Sequence, residues 1–265
     1  EVTIGTGGGR QLRVVHISDT HLKHGPGQLT VPIGDILIHS GDFAQQTFMR
    51  TVFQPQEARK QMRQFVEFID AQPHRLKVFV AGNHEPFLRH QNWRKIQKQL
   101  GDTRYLEDWG IEFEGLRIYG SPWNTTNGGF SSPGVLRRRA WERIPDGTDV
   151  VVTHMGAQGV LDLCERDSGS ATCDVCGTSH PGQVHEGCAH LAAHLRRVGA
   201  RMHLFGHAHS QNGVEHVDGM VCANSAMDLY DNGAHVFNVV LPVDREDRGL
   251  VEWPQRSVGA ACVLA

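Results

Sequence analysis

Val14-Val15-His16-Ile17-Ser18-Asp19-Thr20-His21 is the stretch from which the rest of the chain can be read. An apolar run of strand type breaks at Asp19, and His21 follows two residues later, so a hard carboxylate and an imidazole leave one strand end together. Alone, the pair is equally well explained by a turn residue beside a surface histidine. Its meaning depends on whether other strands end the same way.

They do. Apolar runs at 12–17, 35–39, 76–81, 149–153 and 202–205 read as buried strands. After the first comes the Asp19, His21 pair, and the others run into Ser40-Gly41-Asp42, Gly82-Asn83-His84-Glu85, His154 and Gly206-His207-Ala208-His209. In open α/β sheets the carboxyl ends of strands are where side chains from separate turns converge on a ligand. Between these runs, Ala58, Met62, Phe65, Val66 and Ile69 recur at three and four after Pro55, which predicts a helix with one buried face that closes before Pro73. Trp93, Ile96 and Leu100 mark a second helix ending at Gly101. Helices are also expected over 135–144 and 189–198. Glu114-Gly115 and Asp218-Gly219 read as two-residue hairpin turns, and 234–241 as a last strand. Strands that alternate with helices early and run as hairpins late predict an α/β sandwich with parallel and antiparallel pairing.

Composition narrows the class. With 265 residues, 39% hydrophobic and 21% charged, the chain can form one well-buried domain over 1–265, with a Cys-bearing insertion at about 164–188. No apolar run approaches the ~20 residues of a membrane span, and residues 1–10 are Gly-rich without an apolar leader core. A cytoplasmic protein with no membrane partner is the expectation. A net charge of -3 gives no basic footprint, so a nucleic-acid polymer is not expected as partner. Six dispersed cysteines read as reduced thiols, while 17 histidines invite a metal reading. Nothing in the sequence fixes the oligomeric state.

Asp19, His21, Asp42, Asn83, His154, His207 and His209 offer oxygen and nitrogen donors without thiolate. Such a set suits Mn, Fe, Zn or Co better than all-oxygen Mg or Ca sites. It exceeds what one ion needs if a position is to stay open for water. Two divalent transition-metal ions sharing one carboxylate would use all of it.

The ordered set Asp19-x-His21, Gly41-Asp42, Gly82-Asn83-His84-Glu85, His154 and Gly206-His207-x-His209 resembles the motif set of calcineurin-like metallophosphoesterases. The longer strings 16–21, 34–43, 81–85, 116–123 and 203–207 are similar to the metallophosphoesterase-domain-containing branch, related to class III cyclic-nucleotide phosphodiesterases. The likeness covers roughly residues 12–241. It implies a fold of two mixed β-sheets packed as a sandwich and flanked by helices, a four-layer arrangement. It implies that Asp19, His21 and His209 hold one ion and Asn83, His154 and His207 the other, with Asp42 bridging. His84 would be the catalytic acid beside the leaving oxygen, and Glu85 would orient its neighbours by hydrogen bonds. The implied activity is hydrolysis of small phosphodiesters, cyclic nucleotides among them, by a metal-bridging hydroxide. The alternatives are a phosphomonoesterase with the same site, and, from another class, a metal-binding regulatory scaffold with weak or no catalysis.

The chain departs from the family pattern in two places. Members often have Pro-Pro after the residue matching His154, whereas Met155-Gly156-Ala157 follows here. The loop after Trp123 is short, and Asn124, Asn127 and Phe130 match a substrate-facing loop only loosely. A separate feature is Cys173-x2-Cys176-x8-His185-x2-Cys188, with Cys164 and His180 nearby, which has the spacing of a small structural zinc knuckle. The plain alternative is a flexible insertion with free thiols. His16 and His39 lie within strands and are expected to be satisfied interior histidines.

Overall fold

The computed structural model describes residues 1–5, 9–25, 27–165, 173–227 and 233–253. A six-stranded sheet runs in the order β1 (Val2–Ile4), β14 (His235–Val240), β2 (Gln11–Ile17), β3 (Ile36–His39), β4 (Leu76–Phe79), β5 (Arg104–Tyr105). A seven-stranded sheet runs β12 (Gly213–Val217), β13 (Met220–Asn224), β11 (Met202–Phe205), β8 (Val150–Thr153), β7 (Leu116–Ser121), β6 (Trp109–Phe113), β15 (Leu250–Trp253). β9 (Leu163–Glu165) and β10 (Gln183–His185) form a separate antiparallel ribbon. The helices are α1 (Phe48–Phe53), α2 (Pro55–Asp70), α3 (Trp93–Leu100), α4 (Gly134–Trp141) and α5 (Ala189–Val198).

The sandwich follows from period-two alternation along the central strands. Val14, Ile36, Ile38 and Val78 from the first sheet share one buried cluster with Ile118, Val150, Val152, Met202 and Leu204 from the second. The alternate residues Val15, Ile17, Leu37, Phe79, Val151 and Phe205 belong to another cluster, with Met62, Phe65 and Ile69 of α2 and Leu191, Leu195 and Val198 of α5. Both sheets are mixed: β2, β3 and β4 are parallel neighbours, as are β7, β8 and β11, while β14 is antiparallel to β2 and β6 to β7. Parallel central strands bring their carboxyl ends to one edge, and that is where Asp19, Asp42, Asn83, His154 and His207 follow. Both hairpin turns form with left-handed φ at each central residue, 50° and 88° at Glu114-Gly115 and 52° and 80° at Asp218-Gly219.

The differences from expectation are local. β1, β5 and β15 carry too few residues to show periodicity, and each forms on a sheet edge with its partner supplied by tertiary structure. β4 ends at Phe79 rather than Ala81, and α4 is a shorter helix than 135–144. The stretch 164–188 is not wholly irregular, because β9 and β10 pair across it. α1 was not expected; Phe48, Met49, Val52 and Phe53 are all exposed on it.

His16 and His39 are interior and satisfied. His16 bonds the Ser40 hydroxyl at 2.9 Å and that of Ser225 at 2.6 Å, and His39 bonds the Thr20 hydroxyl at 3.1 Å. Burial holds the His39 and His203 imidazoles down at about 3 and His24 at about 4. His24 Nε2 and His203 Nδ1 are buried without a hydrogen-bond partner, so a proton there would bring a charge into apolar surroundings. In the unfolded chain the same groups titrate near 6.5. A folded pKa below the unfolded one means that the unfolded state binds more protons between the two values, so stability falls as pH falls through that window. Melting temperature, followed by circular dichroism, is therefore expected to drop progressively from about pH 6.5 toward pH 4. A flat profile over that range would contradict the neutral assignment of these rings.

Candidate metal centre

The turns after β2 and β3 are laced together by backbone bonds. Asp19 N donates to Gly41 O at 2.9 Å and His21 N to Asp42 O at 3.1 Å. Asp19, His21, Asp42 and His207 all take left-handed φ, at 54°, 39°, 56° and 71°. For non-glycine residues such backbone costs on the order of 1–3 kcal/mol each and persists where surrounding structure enforces it. Part of that enforcement is close approach. A Cβ on Gly82 would overlap the Asp42 carboxylate, and one on Gly206 would overlap Asp19 Oδ2 and the Ser18 hydroxyl.

Each carboxylate is anchored by one oxygen and aimed with the other. Asp19 Oδ2 accepts from His207 N at 3.0 Å, leaving Oδ1 3.1 Å from His209 Nε2. Asp42 Oδ1 accepts from His84 N at 2.7 Å, leaving Oδ2 3.1 Å from His154 Nε2 and 4.0 Å from His21 Nε2. Asn83 Oδ1 lies 2.9 Å from His154 Nε2 and 3.0 Å from His207 Nδ1. The donors therefore fall into two groups, Asp19, His21, His209 and Asp42, His154, His207, each with ligand atoms within 4.8 Å of one another. Asn83 belongs with the second, and Asp42 also reaches a third grouping with His21 and His84.

The residues fit a metal in three respects. Within the groups the nearest donor separations, 2.9–3.4 Å, match polyhedron edges for bonds of about 2.0–2.2 Å, while His21 Nε2 stands farther, 3.9 Å from Asp19 Oδ1. The far ring nitrogens are occupied: His21 Nδ1 donates to Ala44 O at 2.9 Å, His154 Nδ1 to Ser40 O at 2.9 Å, and His207 Nε2 faces Glu186 Oε2 at 2.9 Å. Those bonds fix the tautomer and turn the remaining lone pair inward. The charge balance agrees as well. Burial alone would raise Asp19 and Asp42, but the imidazoles, His154 foremost, outweigh it and hold both carboxyls below their ordinary range. Burial likewise opposes charge on His154, yet Asp42 and Asp19 bring it up to about 10. Two buried carboxylates facing imidazoles form an anionic pocket that protons fill when no metal is bound and that divalent cations would take over.

Glu85 stands behind the site. Oε1 accepts from Ala44 N at 2.9 Å, and Oε2 accepts from Asp42 N at 2.9 Å and Gly82 N at 2.7 Å. Burial and the Asp42 charge push its carboxyl up to about 8 against those three donors. His84 sits at the rim, its side chain 36% exposed and its Nε2 4.0 Å from Asp42 Oδ2. The sequence reading missed Glu186, which has no strand end or spacing to mark it. Cys164, which the spacing sets beside the cysteine knuckle, groups instead with Glu186 and His207.

The loop after Trp123 is corrected. Asn124 and Phe130 are fully buried; Asn124 Nδ2 donates to Gly129 O at 2.5 Å, and Gly129 N to Asn83 O at 2.7 Å. They hold a loop that buttresses Asn83, while Asn127 of the same loop is exposed. Met155, the residue after His154, accepts from Thr125 N at 3.1 Å and its hydroxyl at 3.0 Å, tying that loop to the turn after His154. Cys188 is likewise corrected. It is buried in the core beneath the Trp141 indole, whose N–H reaches its sulfur at 3.3 Å, and it does not join Cys173, Cys176 and His185; His180 does.

The family model for calcineurin-like phosphoesterases matches residues 12–211, a span that contains every donor of the centre. The chain belongs to the calcineurin-like phosphoesterase family. Among relatives, human metallophosphoesterase domain-containing protein 1 is 32% identical over 76% of this chain and 62% of its own. UPF0046 protein C25E10.12 of Caenorhabditis elegans is 30% identical over 88% of this chain and 82% of its own. UPF0046 protein K07C11.7 of the same organism is 31% identical over 79% and 67%. The chain thus spans about three fifths of the human relative's length. Two mixed sheets with flanking helices are the architecture this phosphoesterase family implies, and among the described residues no helix is long and apolar enough to cross a membrane.

Proposed function

We propose that the chain is a two-metal phosphoesterase that hydrolyses small phosphodiesters, cyclic nucleotides among the candidates. The observation that carries the reading is the division of the donors into two groups around one shared carboxylate, Asp42. Asp19, His21 and His209 would hold one divalent ion and Asn83, His154 and His207 the other, with Mn, Fe, Zn or Co suited to this N/O set. When bound, the ions supply Lewis acidity, which acidifies the attacking water and draws charge off the phosphoryl oxygens.

The chain's own groups supply the rest. Buried carboxylates and imidazoles held by hydrogen bonds at both ends keep the site preorganised, so little reorganisation accompanies reaction. His84 stands at the rim where a substrate ester would enter. Its protonated ring would give its proton to the departing alkoxide oxygen as the P–O bond breaks, leaving neutral imidazole and free alcohol. General acids of this kind contribute roughly 10²- to 10⁴-fold. His84→Ala is therefore expected to retain its metals, lose about that much turnover on an alkyl diester, and lose far less on an activated nitrophenyl diester. Equal losses on the two substrates would remove His84 from the acid role.

The substrate class is tested by assaying purified protein with Mn²⁺ on a nitrophenyl diester and the matching monoester side by side. Diester preference supports the proposal. Monoester preference would replace it with a phosphomonoesterase using the same site, and no hydrolysis of either with both ions bound would leave a metal-binding scaffold.

A further inference from the structure

We infer that Cys173, Cys176, His180 and His185 form a structural zinc site that staples the tip of the β9–β10 ribbon. It is independent of the proposed phosphoester chemistry, and its ligand set differs from the one the cysteine spacing suggested.

The four donors lie within 4.8 Å of one another. The sequence is Cys-x2-Cys-x3-His-x4-His, the mixture of two thiols and two imidazoles that a tetrahedral zinc site takes. The turn bearing the cysteines is already shaped to chelate. Gly177 takes φ 71° directly after Cys176, its N–H donates to Cys173 O at 2.8 Å, and Val175 N donates to Cys173 Sγ at 3.3 Å. Left-handed glycine lets the chain double back so that both sulfurs project to one side, and an amide N–H on sulfur stabilises thiolate over thiol.

The histidines supply the independent observation. His180 Nδ1 donates to Gln183 O at 3.0 Å, and His185 Nδ1 donates to Asp162 Oδ1 at 2.5 Å. Each bond puts the proton on Nδ1 and leaves Nε2 with a bare lone pair. Both Nε2 atoms are buried with no partner other than the neighbouring thiols, Cys173 for His180 and Cys176 for His185. The rings meet edge to face, 5.1 Å apart at 87°. A carboxylate and a carbonyl behind two imidazoles is the support that metal-ligating histidines ordinarily have. Cys176 Sγ lies 2.9 Å from the Thr178 hydroxyl, a group that can donate to a thiolate.

A purpose is visible in the packing. The segment 174–179 is exposed throughout and contributes nothing to either apolar cluster, so these described residues add no core of their own. Small segments without a core need a staple of another kind. Cys188 cannot serve, since its sulfur lies in the main core under Trp141. Cys164 groups with Glu186 and His207 instead.

Titration of the metal-stripped full chain with Co²⁺ separates this site from the phosphoester centre, because only a thiolate site gives a near-ultraviolet sulfur-to-cobalt charge-transfer band with intense visible absorption. One equivalent with that signature is expected, displaced by Zn²⁺. The pair Cys173→Ser/Cys176→Ser should abolish the band and lower zinc content by one ion per chain, while Cys164→Ser and Cys188→Ala should leave both intact. Cobalt uptake by the unmodified chain with no charge-transfer band would overturn the inference without touching the N/O centre, and it requires no variant to fold. A band that survives the double substitution, or disappears in Cys188→Ala, would overturn the ligand assignment.

Discussion

Replacing Asp42 by alanine is expected to lower phosphoester hydrolysis by at least ~10³-fold, about 4 kcal/mol of transition-state stabilisation, and to leave the protein with at least one ion fewer. Asp42 Oδ2 is 3.1 Å from His154 Nε2 on one side and 4.0 Å from His21 Nε2 on the other. It is the carboxylate placed to serve both donor groups, and Asp19 cannot substitute because its free oxygen faces His209. The same change also removes the acceptor for His84 N, so the proposed proton donor would lose its placement together with the proposed ions. Loss of stability should be much smaller than loss of activity. Elemental analysis beside turnover with Mn²⁺ checks this; a variant that keeps its metals and its rate would refute the shared-carboxylate arrangement.

Glu85→Ala is expected to act in the opposite proportion. Three buried amides, of Asp42, Ala44 and Gly82, donate to this one carboxyl, and alanine leaves all three without an acceptor. At about 1–3 kcal/mol for each orphaned buried donor, the variant should lose about 3–9 kcal/mol in urea unfolding. The turns so released carry Asp42 and Asn83, so metal affinity should fall about 10- to 100-fold, the range for groups that orient ligands. Glu85→Gln keeps one acceptor oxygen and should recover part of both losses. Calorimetric titration with Mn²⁺ measures the second effect, and unchanged unfolding in the alanine variant would contradict the role.

What could be read in the sequence had a physical signature there. Asp19, Asp42, Asn83, His154 and His207 were legible because each follows a buried apolar run, and parallel strands must deliver their ends to one edge. The sandwich was legible from the two periods that govern burial. Glu186 was not, since its bond to His207 depends on a ribbon whose strands have three residues each. The fourth member of the cysteine cluster was misread for a similar reason. Spacing favours Cys188, but the Cys188 side chain is claimed by the core beneath Trp141, which only packing reveals. Asn124 and Phe130 show the same limit, because a polar loop's inward and outward residues carry no period.

The contact between His209 and Asp19 joins residues 190 positions apart. A ribosome making this chain releases Asp19, His21 and Asp42 long before His209 exists, and the strands carrying them can pair well before the centre can close. The ion proposed for Asp19, His21 and His209 can therefore load only after His209 has been made. A chain interrupted just before β11 would keep β1 to β5 but lack β14, which lies between β1 and β2, together with His207 and His209.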